Sequence, residues 1–485
     1  MTIRDLQPRA VWHFFEEITQ VPRPSKKEAK ISAYLRKFAE DRNLPFHTDE
    51  TGNMIIEKAA TKGFESLPIV VMQCHVDMVC EKNSDVVHNF ETDPISTFVD
   101  GEWLKARGTT LGADNGIGVA AQLAVLAADN IEHGAIECLF TVDEETGLMG
   151  AFGLKPNFLK GNILLNLDSE DEGELYIGCA GGIDTTVMLP YDAVEASKDL
   201  FYFRIIIKGL SGGHSGDDIN KGFANANQLL ARFLWECNRS FGITITEING
   251  GNLHNAIPRE AYAVCGVPYA EKEHVRVALN IYLADLSEEF RYTEPKLDIH
   301  LESETMPALV IDKVTSDKLI DALFICPNGV IAMSSAMPGL VETSTNLASI
   351  KMMPDHKIKI VTSQRSSIES AKNDIAHRME SLFMLIGGTV THGDGYPGWA
   401  PNPSSKILKV ASDTHTQLFG YEPRIKAIHA GLECGLFLKK YPSLDMVSFG
   451  PTMRGVHSPD ERLHIPSVDK FWLHLLAILK NIPIK

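Results

Sequence analysis

No stretch of the 485 residues is apolar for long enough to cross a bilayer, and the opening Met1-Thr-Ile-Arg-Asp-Leu-Gln-Pro lacks the hydrophobic run of a secretory leader. No membrane partner is expected, and the cytoplasm is the expected compartment. Paired cysteines are also missing. Cys74, Cys80, Cys138, Cys179, Cys237, Cys265, Cys326 and Cys434 are scattered, several in apolar runs, which reads as reduced and mostly buried thiols. Positive charge is in deficit: 46 Lys plus Arg stand against 63 Asp plus Glu, a formal charge of -17. That balance disfavours long polyanions, so nucleic acid is not an expected partner. Low-complexity segments and long linkers are absent, which leaves little of the chain outside folded domains.

What remains is an ordinary globular composition, 44% hydrophobic and 22% charged, in a chain longer than one hydrophobic core usually serves. Two domains are expected. Up to about residue 187, strand-like runs (Leu67 to Gln73, Ile136 to Val142, Asn162 to Leu167) alternate with helix-like ones, the texture of an α/β sheet covered by helices. The same texture returns after about residue 396, with Arg424 to Ile428 and Met446 to Phe449 as strands. The segments 1–187 and 396–485 are therefore expected to form one discontinuous domain. Residues 188–395 are expected to form an inserted α+β domain, with strands such as Phe201 to Lys208 and Lys357 to Thr362 and amphipathic helices such as Ala224 to Cys237 and Ser366 to Leu385.

Most residues able to do chemistry fall where the expected strands end. Ile69-Val-Val-Met-Gln-Cys-His75-Val-Asp77 puts an imidazole and a carboxylate two residues apart, hence on one face, just beyond an apolar strand. One can bind a metal while the other fixes its tautomer. Gly108-Thr-Thr-Leu-Gly-Ala-Asp114-Asn-Gly-Ile-Gly opens a small-residue helix, where Asp114 is either an N-cap or a carboxylate brought close to a ligand by its flanking glycines. Val142-Asp143-Glu144-Glu145-Thr follows the next strand. It is either a solvated loop or a pair in which one carboxylate binds a cation and its neighbour takes a proton. Asp168-Ser-Glu170 ends a further strand, and His457 lies in Gly455-Val-His457-Ser-Pro-Asp-Glu461. Each is commonplace alone. Ligands of open α/β sheets bind outside the carboxyl ends of strands, so together these groups are expected to share one crevice. Two histidines and three carboxylates suit a pair of zinc ions bridged by one carboxylate.

With those motifs in place, the sequence resembles, over essentially its whole length, the two-zinc metallopeptidases that include aminoacylases, glutamate carboxypeptidases and carnosinases. The resemblance implies a zinc-peptidase-like mixed sheet flanked by helices and interrupted by an inserted α+β lid domain. It implies that Asp114 bridges two Zn2+, with Co2+ or Mn2+ as substitutes; that His75 and Asp168 complete one site, and Glu145 and His457 the other; that Glu144 is the general base; and that Asp77 orients His75. It further implies that His214, in Gly209-Leu-Ser-Gly-Gly-His214-Ser-Gly, stabilises the oxyanion. Asn255, Arg365 and Gly431 are implied to hold the terminal carboxylate of the substrate, although an ordinary turn at His214 and a surface salt bridge at Arg365 remain alternatives.

The activity implied is hydrolysis of the peptide bond of dipeptides, Xaa-His peptides such as carnosine among them, with closure of the insert excluding water. A tripeptidase or an N-acyl amino acid hydrolase on the same scaffold is the alternative within hydrolysis. A non-catalytic peptide- or metal-binding protein is the alternative outside it. A small peptide is the expected partner, and either a monomer or a homodimer is compatible with the sequence.

Overall fold

Val70–His75 is buried along its whole length, without the polar alternation of a half-exposed strand. Such a run belongs in the middle of a sheet covered on both faces. In the computed structural model, which describes residues 2–483, that is where it lies. Met1, Ile484 and Lys485, the outermost residues of the ranges expected from sequence, fall outside the described residues. The protein is a mixed α/β structure, and its chain divides into two units. The first comprises the residues up to Gly178, Pro401–Ala427, and Leu432 onward; the second comprises Cys179–Ala400 with Ile428–Gly431. The second unit encloses the inserted segment expected at 188–395 and extends past it at both ends, to Cys179 and Ala400, and the return at 428–431 leaves no mark in the sequence pattern. Among the described residues no helix is long and apolar enough to cross a membrane.

The first unit is built on an eight-stranded sheet in the order Phe46–Thr48, Met54–Lys58, Ile136–Thr141, Val70–His75, Ile163–Asn166, Asp445–Ser448, Glu174–Cys179, Arg424–Ile428. Ile136–Thr141, Val70–His75 and Ile163–Asn166 are consecutive and parallel, with His75 opposite Thr141 and Gln73 opposite Asn166. Their carboxyl ends therefore open on one edge of the sheet. Helix Ala113–Ala127 is almost wholly buried because its small residues let it approach Val70–His75 and helix Arg9–Thr19 closely.

The second unit carries a nine-stranded, antiparallel-paired sheet that includes Gly181–Pro190, Leu200–Lys208, Thr244–Gly250, Ala261–Pro268, Val341–Met353 and Lys357–Ser366. Its core joins Phe203, Ile205 and Ile207 of the sheet to Leu230, Phe233 and Leu234 of helix Ala226–Phe241. That helix starts on Asn225, whose side chain accepts the amides of Asn227 and Gln228, an N-cap that satisfies two donors left open by the first turn.

Buried His474 is expected to contribute to loss of stability in acid. His474 lies among the rings of His415, Phe419 and Phe449 and donates its Nε2 proton to the Ala411 carbonyl at 2.8 Å. Burial, helped by His415, pushes its pKa down to about 4. An unfolded histidine titrates near 6.5, so between the two values the unfolded chain holds a proton that the folded one does not. The contribution of His474 to stability is therefore full above about pH 6.5 and is expected to fall by about 3 kcal/mol on the way to pH 4. Melting curves across that window should fall less steeply for His474→Gln; an equal slope would remove this histidine as the cause.

Candidate active site

Asp114 occupies the centre of the site in the first unit because of its backbone. Gly112 stands at φ 69°, in the left-handed region, and a Cβ there would meet the Arg23 guanidinium at 2.5 Å and the Met78 sulfur at 2.8 Å. Asp114 and Asn115 then depart from helical angles, so the helix begins irregularly, with Gly112 and not Asp114 at the capping position. The segment is fixed from outside. The carboxylate of Glu461 accepts the amides of Leu111, Gly112, Ala113 and Asp114 at 2.7 to 3.3 Å. Buried Arg23 donates to the carbonyls of Val76, Asp77 and Gly112.

Held in this way, the Asp114 carboxylate faces two imidazoles with two different oxygens. Its Oδ1 lies 3.1 Å from His75 Nε2, and its Oδ2 lies 3.2 Å from His457 Nε2. A second carboxylate stands beside each imidazole: Asp168 Oδ1 is 3.4 Å from His75 Nε2, and Glu145 Oε2 is 3.0 Å from His457 Nε2. His75 ends its strand, and Asp168 and Glu145 follow theirs by two and four residues. His457 lies between Met453–Arg454 and Arg462–His464 at φ 60°, a conformation uncommon for a residue with a side chain.

Asp77 binds the pieces together. Its Oδ1 lies 3.4 Å from His75 Nδ1 and accepts the Glu144 amide at 3.0 Å; its Oδ2 accepts the Glu145 amide at 3.2 Å and the Ser25 hydroxyl at 2.8 Å. Despite its burial, these donors hold its pKa near 2. Burial likewise disfavours charge at Asp114, yet His457 and His75 keep it well below the ordinary carboxylate range. The two imidazoles respond in kind. His75 is raised against the effect of its own burial by Asp168 and Asp114, and His457 is raised to about 11 by hydrogen bonds to Asp114 and Glu145. Glu144 differs from Asp77 and Asp114: burial and the neighbouring Asp168, Glu433 and Glu145 push its carboxyl well above the usual value.

His75, Asp114 and Glu145 can each offer one donor atom within 4.8 Å of the others, a spacing suited to a cation. Two further observations bear on the fit. Glu145 Oε1 is buried with no hydrogen-bond partner among the described residues, and Asp168 Oδ1, also buried, has the 3.4 Å contact with His75 Nε2 in place of a hydrogen bond; buried anionic oxygens so poorly satisfied are costly. The cluster also holds three carboxylates against two imidazoles, an excess of negative charge that divalent ions would balance. The imidazole and carboxylate donors are of the kind that zinc, cobalt and manganese accept.

Two contributors to this floor escape a sequence reading. Glu461 acts only through backbone amides almost 350 positions away, and Arg23 only through carbonyls. Beneath the cluster, buried Glu433 accepts Gln73 Nε2 at 2.5 Å and the Thr141 hydroxyl at 2.9 Å, and burial lifts its pKa to about 8. The motif around Gly431 contains Glu433, but nothing in that motif points to Gln73.

The second unit gathers another set. Half-buried His214 accepts the amides of Gly216 and Asp217 on Nδ1 at 3.3 and 3.2 Å, which leaves the proton on Nε2 as a donor. Its pKa is lowered by burial and by Arg365. Arg365, in strand Lys357–Ser366, is buried, so a surface salt bridge does not describe it. Asn255 has an exposed side chain, and its backbone carbonyl accepts the Ser215 amide at 2.8 Å. No side-chain hydrogen bond joins it to Arg365 among the described residues. Gly431 packs against the ring of Tyr396.

Comparison with known proteins shows the family and the fold. The profile of Peptidase family M20/M25/M40 matches residues 71–481. The chain is 44% identical over 483 residues to the cytosol non-specific dipeptidase of Escherichia coli, covering 100% of this chain and 99% of that one. The crystal structure of aminoacylhistidine dipeptidase from Vibrio alginolyticus superposes with a TM-score of 0.95 at 42% identity, covering 100% and 99% of the two chains. Aminopeptidase PepT from Bacillus cereus shares the fold, with a TM-score of 0.58 at 17% identity over 98% of this chain and 99% of that one.

Proposed function

We propose, from the premise that the chain belongs to peptidase family M20/M25/M40, that it is a two-zinc dipeptidase cleaving the one peptide bond of dipeptides, Xaa-His among them. The observation that carries the two-cation reading is the division of Asp114 between two imidazoles, each with its own second carboxylate. In this reading Asp114 is the shared ligand, His75 and Asp168 complete one position, and Glu145 and His457 the other. Zinc is the proposed metal, with cobalt or manganese as substitutes.

When bound, the cations polarise the peptide carbonyl and lower the pKa of the attacking water. Glu144 takes the proton from that water and returns it to the leaving amine. Burial and the neighbouring acids raise its pKa, which makes it a better proton acceptor than an exposed glutamate. Asp77 orients His75 through Nδ1 and fixes the Glu144–Glu145 turn through two amides, so one carboxylate sets both ligand and base. His214, with its proton on Nε2, is the proposed donor to the carbonyl oxygen as charge develops there. Arg365 is the proposed anchor of the terminal carboxylate, with Asn255 and Gly431 alongside, because a guanidinium matches a carboxylate through two parallel hydrogen bonds.

We assign the protein to the cytoplasm, as a monomer or a homodimer, with the segment around His214 and Arg365 serving as the lid. The buried, unbridged Cys74, Cys138, Cys237, Cys265 and Cys326 suit a reducing compartment. The activity is tested by loading the protein with zinc, cobalt or manganese and screening dipeptides including carnosine, tripeptides and N-acyl amino acids. Dipeptides are expected to be cleaved at least about tenfold faster in kcat/KM than the other classes, a margin of about 1.4 kcal/mol in transition-state binding. Preference for either other class would replace the substrate reading. Metal-loaded protein that cleaves none of them would restore the non-catalytic alternative.

A further inference from the structure

Arg365 has an unusual setting for a buried cation. Its Nη1 donates to the Tyr396 hydroxyl at 2.9 Å, while its Nε is buried with no acceptor. No carboxylate lies within ion-pair distance of it among the described residues. Asp184, the acid within its electrostatic reach, is already engaged by His254 at 2.8 Å. An unpaired guanidinium in such a place is costly unless an anion arrives.

The phenol that holds it is itself tightly placed. A Cβ on Gly182 would lie 2.8 Å from the Tyr396 ring and hydroxyl, and one on Gly431 would lie 2.8 Å from its ring, so both glycines make room for it. The backbone is pinned as well: the Tyr396 amide donates to the Gly182 carbonyl at 2.8 Å, its own carbonyl accepts the Gly182 amide at 3.0 Å, and it also accepts Lys372 Nζ at 2.7 Å. Lys372 is itself buried. This is a great deal of structure spent on the position of one hydroxyl, and that hydroxyl has the guanidinium as its partner.

The geometry points to Tyr396 as a positioning residue that fixes the Arg365 guanidinium for the free carboxylate of a peptide substrate. By tying down Nη1, the phenol stops the guanidinium from turning and leaves Nε and Nη2 as the edge for a two-point carboxylate contact. The consequence is specificity for substrates that end in a free carboxylate, expressed in KM and not in the chemical step. This rests on the reading of Arg365 as the carboxylate anchor.

The test compares Tyr396→Phe, Gly431→Ala and Arg365→Gln with the wild-type, metal-loaded enzyme on a dipeptide and on the matching dipeptide amide, with melting temperatures for all four. Tyr396→Phe is expected to raise KM for the dipeptide about tenfold, as loss of a hydrogen bond to a charged group would, and to leave kcat and the amide substrate nearly unchanged. Gly431→Ala, which crowds the ring, is expected to shift KM in the same direction. If Tyr396→Phe matches wild type, or loses equally on both substrates, while Arg365→Gln still discriminates between them, the positioning role is overturned and the anchor stands. If Arg365→Gln also loses equally on both, the anchor itself is wrong and the role of Tyr396 falls with it.

Discussion

Replacing Glu144 by alanine is expected to abolish turnover while leaving metal content and melting temperature where they are. The side chain of Glu144 makes no hydrogen bond or ion pair among the described residues, so its removal leaves the scaffold and the ligand cluster intact. What the scaffold uses is the Glu144 amide, which donates to Asp77 at 3.0 Å, and alanine keeps it. The carboxyl has a different use: burial and three neighbouring acids raise its pKa, which makes it a stronger proton acceptor than an exposed glutamate. Loss of a positioned general base costs about 10²- to 10⁴-fold in rate, so kcat on a saturating dipeptide should fall by about 10³-fold or more. Kinetics alone would not suffice. If metal analysis by mass spectrometry showed ions lost together with activity, Glu144 would be a structural residue, and wild-type turnover would end its assignment as the base.

How much of this could be seen before the fold was known depends on how far apart the cooperating residues lie. His75, Glu145 and Asp168 were visible because an apolar run followed by a polar residue marks a strand end. Three parallel neighbouring strands then bring such ends to one edge of the sheet. Asp114 was ambiguous, since an aspartate at a helix start is ordinarily a cap; only the left-handed Gly112 and the non-helical backbone that follows separate the two roles. His457 stands in a short turn with no periodic signal, and its role was legible only through the family resemblance. Glu461, Arg23 and Tyr396 were not legible at all. Each acts on groups that any residue could supply, a backbone amide, a carbonyl or one guanidinium nitrogen, so no local pattern marks the pairing. The insert followed the same logic. The strand expected at Lys357 to Thr362 lies within the observed Lys357–Ser366, whereas the return of Ile428–Gly431 to the second unit is a tertiary event without local cause.

Asp114 carries the second large effect. Asp114→Ala is expected to empty both cation positions, whereas Asp168→Ala and Glu145→Ala should each bring the content to about one ion per chain. The asymmetry follows from geometry: Asp168 makes its imidazole contact with His75 and Glu145 with His457, but Asp114 gives one oxygen to each imidazole at 3.1 and 3.2 Å. Asp114→Asn sharpens the test. An amide is nearly isosteric, yet it replaces one acceptor oxygen with an NH₂ donor, so it can serve one position and must repel a cation from the other. It should retain at most one ion and no measurable turnover. Because ligands that bind only the folded chain stabilise it by mass action, saturating zinc should raise the melting temperature of the wild type most, of Asp168→Ala and Glu145→Ala less, and of Asp114→Ala least. Two ions retained in Asp114→Ala would mean that the cations do not share this carboxylate, and the two-metal mechanism built on it would have to be replaced.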